Sequence, residues 1–162
     1  MGIQPIVSDR TAQSYAAIRL KVKRDKLPDV VPRALGDVFA FLEEQQIAPC
    51  GPPLIRYLVV DYRTGNVEVE IGIPAECDTL RSNAAVCVGW LPAGSYASAM
   101  HRGPYETLVD TTAALLDWAK QSGIGWAVSE KGDVATWGAR VEHYLVGPPN
   151  ENDPGKWQTE AA

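Results

Sequence analysis

The chain has 162 residues, 46% of them apolar and 22% charged, which is about one domain of ordinary globular composition and excludes a disordered polar chain or a collagen-like one. Fifteen basic against twenty acidic residues give a net charge of −5. A phosphate-gripping nucleic-acid binder needs a basic face, which nothing here suggests, and an acidic chain suits neutral or cationic small molecules better.

The N-terminus, MGIQPIVSDR, has neither the basic start nor the apolar run of a signal peptide, and Ile6 stands where a myristoylation pattern requires Ser or Thr. No stretch approaches the ~18 apolar residues of a membrane span, so a cytoplasmic protein without membrane attachment is expected. The first strand is read from Ala16 to Lys23, where Ile18, Leu20 and Val22 alternate with Arg19, Lys21 and Lys23. A helix is expected from about Asp29 to Gln46, with Asp29 as cap, Pro32 in its first turn, and Val31, Leu35, Val38, Phe39 and Leu42 as its apolar face. The Pro- and Gly-rich run from Ala48 to Pro53 is a loop. Strands from Leu54 to Tyr62 and from Val67 to Ile73, joined by the turn Arg63-Thr-Gly-Asn66, read as a hairpin.

The pattern then recurs. Strands are expected over Ala85 to Leu91 and Tyr96 to His101. A helix follows over about Tyr105 to Gln121, with Leu108, Thr112, Leu115, Leu116 and Ala119 as its buried face and Gly123 at its C-terminal cap. The Gly- and Trp-rich stretch from Ile124 to Gly138 has no clear period. Arg140 to Val146 is a strand, and the polar tail from Glu151 to Ala162 is expected to be irregular. The order implies an α+β domain spanning 1–162, built from duplicated strand-helix-strand-strand units at about 14–75 and 84–148, with a tail at 149–162. Pseudo-twofold symmetry, a mostly antiparallel sheet, two helices and a central ligand groove at the seam follow.

Common catalytic signatures are absent: no nucleophile elbow, zinc-protease motif, phosphate-binding loop or dinucleotide fingerprint occurs. Cys50, Cys77 and Cys87 have no metal-ligand spacing and read as reduced thiols. His101 and His143 lie on different expected strands, so no metal is expected; a haem role would rest on one of them as an axial ligand. The aromatic set is unusual, with five Trp and six Tyr against two Phe. Such rings build core and rim, or they wall a pocket for flat apolar or cationic ligands. In Arg140 to Val146, Arg140, Glu142, Tyr144 and Val146 share one strand face and Val141, His143 and Leu145 the other. Glu142 therefore points either to solvent or into a cavity beside Tyr144. In a cavity it could pair with a cationic ligand or, with its pKa raised, act as a general acid or base.

The run His101-Arg-Gly-Pro-Tyr-Glu-Thr-Leu108, then Ala113-Ala-Leu-Leu-Asp-Trp118, then Glu142-His-Tyr-Leu145, resembles the GyrI-like small-molecule-binding family, the effector-binding domain of AraC- and MerR-type multidrug regulators. Pro52-Pro53 with Tyr57, Val67 to Pro74, and Trp157-Gln-Thr-Glu160 match as well, so the resemblance covers about residues 14 to 160. It implies two strand-helix-strand-strand units around a central groove. It also implies a buried glutamate among rings that receives lipophilic cations. By position the glutamate is Glu142, and the rings are Tyr57, Trp90 and Tyr144, with Tyr105 and Trp137 as further candidates.

Two main functions follow from the resemblance. One is a stand-alone binding or sensing module for flat, lipophilic or cationic compounds, serving resistance to xenobiotics; its ligand-binding residues are Glu142, Tyr57, Trp90, Tyr105, Trp137, Tyr144 and His101. The other is a hydrolase that opens the cyclopropane of duocarmycin- or yatakemycin-type genotoxins, with Glu142 and Tyr144 as catalytic residues. A gyrase-inhibitor-like partner role is a further alternative. No cofactor is expected. Only about 13 residues precede the first expected strand, too few for a helix-turn-helix, so direct DNA binding is not expected.

Overall fold

The computed structural model describes residues 2–78 and 80–162. The chain order is β1 (Ile6–Arg10), β2 (Gln13–Lys23), α1 (Leu27–Glu44), β3 (Leu54–Asp61), β4 (Asn66–Pro74), β5 (Cys87–Leu91), β6 (Gly94–Arg102), α2 (Leu108–Gln121), β7 (Val128–Lys131), β8 (Val134–Val146) and β9 (Gln158–Ala161). All the strands join one curled antiparallel sheet, in the order β1-β6-β9-β8-β3-β4-β2-β5, with β7 added on β8.

The duplication is legible in this order. The unit β2-α1-β3-β4 places β4 between β2 and β3, and the unit β6-α2-β8-β9 places β9 between β6 and β8. The two units meet where β3 pairs with β8. The outermost strands are exchanged: β1, which precedes β2, pairs with β6, while β5, which precedes β6, pairs with β2.

Alternation sorts the sheet's side chains. On the β2-β4 pair, Ile18, Leu20, Val69 and Ile71 point to the helix side, where Leu27 and Ala34 of α1 meet them. Leu115 of α2 packs on Ala97, Ala99 and Ala161 from β6 and β9. The opposite face has its own small core of Tyr15, Ala17, Leu54, Leu91 and Val141, enclosed by the curl of the sheet. The hairpin between β3 and β4 turns through Gly65 at a φ of +77°, a region where a side chain would be strained.

Several expectations are corrected. The tail is not irregular: Gln158 to Ala161 form a strand inside the sheet, and Thr159 is fully buried. A strand over Ile6–Arg10 was not expected, and β8 begins at Val134 rather than Arg140. Asp29 does not cap α1, which begins two residues earlier behind a 3-10 turn; Pro28 occupies its start and Pro32 lies inside it. Tyr105–Thr107 form a 3-10 turn that leads into α2. On α1, Phe39 is exposed while Phe41 and Ala34 are buried, so the buried stripe is rotated from the one expected. On α2, Thr111 is buried and Thr112 only partly so.

Candidate functional site

The seam between the units carries the candidate site. Across β3 and β8, Ile55 faces Glu142 and Tyr57 faces Arg140, so these four residues and Tyr144 share the helix-side face. Pattern alone left Glu142 a choice of two environments, and the structure places it in the interior at 6% exposure. The Tyr144 hydroxyl donates to Glu142 Oε2 at 3.2 Å. Among the described residues, Glu142, Arg140 and Arg24 take part in no ion pair within 4.0 Å. Yet both guanidinium groups lie close by: Arg140 sits 5.2 Å and Arg24 5.8 Å from the centre of the Tyr57 ring. Arg140 also lies 5.0 Å from the Trp137 ring.

Burial raises the pKa of Glu142, against the pull of the Tyr57 hydroxyl, Arg24, Arg140 and the Tyr144 hydroxyl. Burial also pushes the hydroxyls of Tyr57 and Tyr144 well above the ordinary phenol range, and the Glu142 charge adds to it. Both therefore stay protonated and can donate at neutral pH.

Glu142 lies in the wall of a cavity of about 390 Å³. The cavity has a simple origin. Strand β8 is flanked by β7 over Val134–Trp137 and by β9 from Glu142 onward, so neither strand covers residues 138–140. Likewise β9 meets β6 only from Ala99, leaving the start of β6 open on that side. The cavity fills this gap under Thr112, Leu115 and Leu116 of α2 and residues 124–127. Its aromatic walls are Trp126 and Trp137, whose rings meet edge to face at 6.3 Å, with Tyr96 near the start of β6. Arg140 and Glu142 are its charged wall residues.

The seven residues named from the sequence fall into three places. Trp137 and Glu142 line the cavity. Tyr57 and Tyr144 adjoin Glu142 but are not cavity walls; Tyr105 packs edge-on against Tyr144 at 5.4 Å and stacks on Trp157 at 4.5 Å. Trp90 and His101 lie apart from the cavity. Trp90 is 51% exposed and contributes only its backbone carbonyl, which accepts from Arg56 Nη1 at 2.7 Å. His101 is buried with both ring nitrogens occupied, Nδ1 by Thr111 Oγ1 at 2.7 Å and Nε2 by the Pro104 carbonyl at 3.0 Å. It pins β6 to the turn before α2, and neither nitrogen is left to hold haem iron or a ligand. Among the described residues no cluster of three metal-binding side chains occurs.

Tyr96, Trp126 and Arg140 of the cavity wall, and Trp157 beside Tyr105, are not among the site residues expected from the sequence. Trp126 sits in the stretch without periodicity, and Trp157 precedes a strand too short to show one. Arg140 was already on the correct face, but its contact with two rings is a tertiary fact.

No protein-family model and no curated protein sequence matches the chain. Solved structures do. The crystal structure of the EcmrR C-terminal domain superposes with a TM-score of 0.78 at 18% identity, over 99% of this chain and 96% of that one. Against EcmrR in its complex with DNA the TM-score is also 0.78, at 16% identity, and this chain spans 56% of that protein. SAV2435 bound to tetraphenylphosphonium gives 0.61 at 14% identity, over 99% of this chain and 92% of that one. A hydrolase from Listeria innocua gives 0.61 at 14% identity, over 99% and 90%. The chain thus has the GyrI-like fold, the one that its motifs resemble.

Proposed function

We propose that this protein binds flat, lipophilic small molecules bearing positive charge, in the service of sensing or resisting foreign compounds. The observation that supports this best is Glu142: a buried carboxylate, in direct ion pair with no Arg or Lys among the described residues, in the wall of a mainly apolar cavity with two indoles. A buried carboxylate is costly unless a positive group or hydrogen bonds compensate it. The Tyr144 hydroxyl supplies one hydrogen bond, and the Tyr57 hydroxyl, Arg24 and Arg140 favour the charge without outweighing burial, so a cationic ligand would add the missing compensation. Indole faces attract cations as well. The cavity volume suits a compact polycyclic ligand. The similarly folded SAV2435 with its tetraphenylphosphonium is consistent with this reading.

The test is a titration of intrinsic Trp fluorescence with tetraphenylphosphonium and with a lipophilic cationic dye. Saturable quenching is expected, weakened at least about tenfold by Glu142→Gln, because a charge-assisted contact contributes about 1.5–3 kcal/mol. No quenching by either compound at high micromolar concentration would refute the reading.

A second reading rests on the Glu142–Tyr144 pair itself. Glu142 would take a proton from a water whose oxygen bonds to a cyclopropane carbon of a duocarmycin-type compound. The breaking ring bond would send its electrons to the conjugated carbonyl, which is then protonated. Tyr144 already donates to Glu142 and is not a cavity wall, so its part would be to position the carboxylate. Mass spectrometry of such a compound incubated with catalytic amounts of protein would show a gain of one water. That gain should vanish in Glu142→Gln.

A further inference from the structure

The cavity wall carries a cationic side chain beside the Glu142 carboxylate. Arg140 lines it on the same strand face as Glu142, two residues away, yet the two do not pair within 4.0 Å. The guanidinium is held by the Trp137 and Tyr57 rings, and its side-chain hydrogen bond is a long one, 3.4 Å to the Tyr62 hydroxyl. Most of its five N–H donors are thus unused by protein groups. Trp137 supplies a second unused donor: it is 9% exposed, and its indole Nε1 is buried without a hydrogen-bond partner among the described residues. Buried polar groups in native proteins are nearly always satisfied, so such a donor in a cavity wall points to an acceptor that arrives with a ligand. Glu142 is the deeper of the two charges, at 6% exposure, while Arg140 is only partly buried.

We propose that the cavity selects flat aromatic zwitterions, molecules that bring a positive group to Glu142 and a carboxylate or similar acceptor to Arg140 and the Trp137 N–H. The inference rests on reading the cavity as a cation site and narrows it. A simple lipophilic cation gains the attraction of Glu142, but it also meets the repulsion of a guanidinium that, among the described residues, no protein anion pairs with inside 4.0 Å. A ligand carrying an anion on the Arg140 side turns that repulsion into a charge-assisted hydrogen bond. Arg suits this task because its planar fork binds a carboxylate through two parallel bonds while its face stays on a ring.

The probe is a matched pair: a flat xanthylium dye with a free carboxylate, and the methyl ester of the same dye, which is a cation only. Both are titrated by fluorescence anisotropy into wild-type protein, Arg140→Met, Arg140→Lys and Glu142→Gln. Circular dichroism verifies the fold of each variant. Wild type should bind the free acid at least about tenfold tighter than the ester. Arg140→Met should abolish that preference by weakening the acid alone, while Arg140→Lys keeps part of it. Glu142→Gln should weaken both dyes and leave their ratio in place. If wild type binds the ester as tightly as the acid, or tighter, the zwitterion proposal is overturned and the cation reading stands. It is overturned equally if Arg140→Met preserves the preference. If neither dye binds wild type, both fall. Should Arg140→Met fail to fold, the wild-type pair and Arg140→Lys decide alone.

Discussion

Glu142 is under two opposed demands. Burial favours its neutral form, whereas Tyr57, Arg24, Arg140 and Tyr144 favour the carboxylate, and burial prevails, so its pKa stands above the ordinary 4.5. Two pH effects follow. Only the carboxylate attracts a cation, so binding should weaken as pH falls through that raised value, and the weakening should begin at a higher pH than for an exposed glutamate. Isothermal titration of tetraphenylphosphonium across pH 4 to 8 checks this, and a flat profile in Glu142→Gln is expected. Stability runs the other way. An acid whose folded pKa is raised binds its proton more tightly when folded, so the fold loses stability as pH rises through that value. Glu142→Gln should therefore melt higher than wild type near neutral pH, with the gain vanishing in acid. A variant that binds worse and folds better marks a residue kept for its ligand. At this scale the sequence made the residue types legible, a carboxylate and a Tyr on one strand face. It did not reveal which face is interior, because both faces of Arg140 to Val146 mix polar and apolar residues. Val141 and Glu142, neighbours pointing to opposite sides, are both buried.

That double burial belongs to the elements. A strand at the centre of a curled sheet is covered on both sides, and its polar residues then need partners. Glu160 on β9 shows this: it accepts from Arg10 of β1 at 2.9 and 3.0 Å, and His143 Nδ1 of β8 lies 3.4 Å away. His143 and Arg10 hold its pKa at about 2 despite partial burial. A depressed carboxylate pKa stabilises the fold above the unfolded value near 4.5, and this is lost as pH falls toward 2. Glu160→Gln should cost on the order of 2 kcal/mol at pH 7 and progressively less between pH 4.5 and 2, measured by urea unfolding at each pH. An equal loss at every pH would assign Glu160 a packing role only. Close packing on the same inner face gives a second prediction. A Cβ on Gly89 would collide with the ring of Tyr15, which is fully buried and fixed by Glu70 and Arg56, so Gly89→Ala should destabilise by about 1–3 kcal/mol in the same assay. Strand β9 escaped the sequence reading because Gln-Thr-Glu-Ala has little strand propensity and too few residues to display a period. Its place is fixed by the neighbours on either side. The helices were legible because their apolar periods are long, though the rotation that buries Phe41 and exposes Phe39 depends on how α1 lies on the sheet.

At the scale of the molecule, the two units are alike in topology and unequal in one length. The first has a nine-residue middle strand, β4, which pairs along β2 and β3. The second has a four-residue middle strand, β9, and the unfilled part of its slot is the cavity. The duplication was visible in the sequence as a repeated order of elements. The inequality was not, since it lies in a tail with no regular pattern. It makes a prediction about where a ligand acts. A molecule seated in this gap touches β6, β8 and residues 124–127, and so bridges strands that lack a protein neighbour there. At a ligand concentration of 100 times Kd, linkage stabilises the fold by about 2.7 kcal/mol, which for a domain of this size raises Tm by roughly 5–10 °C. Hydrogen exchange of the complex should slow most at residues 124–127 and at 138–140, the uncovered stretch of β8, and change little along the β2-β5 pair. Protection concentrated instead at β5 and β2 would move the binding site to the opposite edge of the sheet. It would also overturn the proposal that Glu142 and Arg140 hold the ligand.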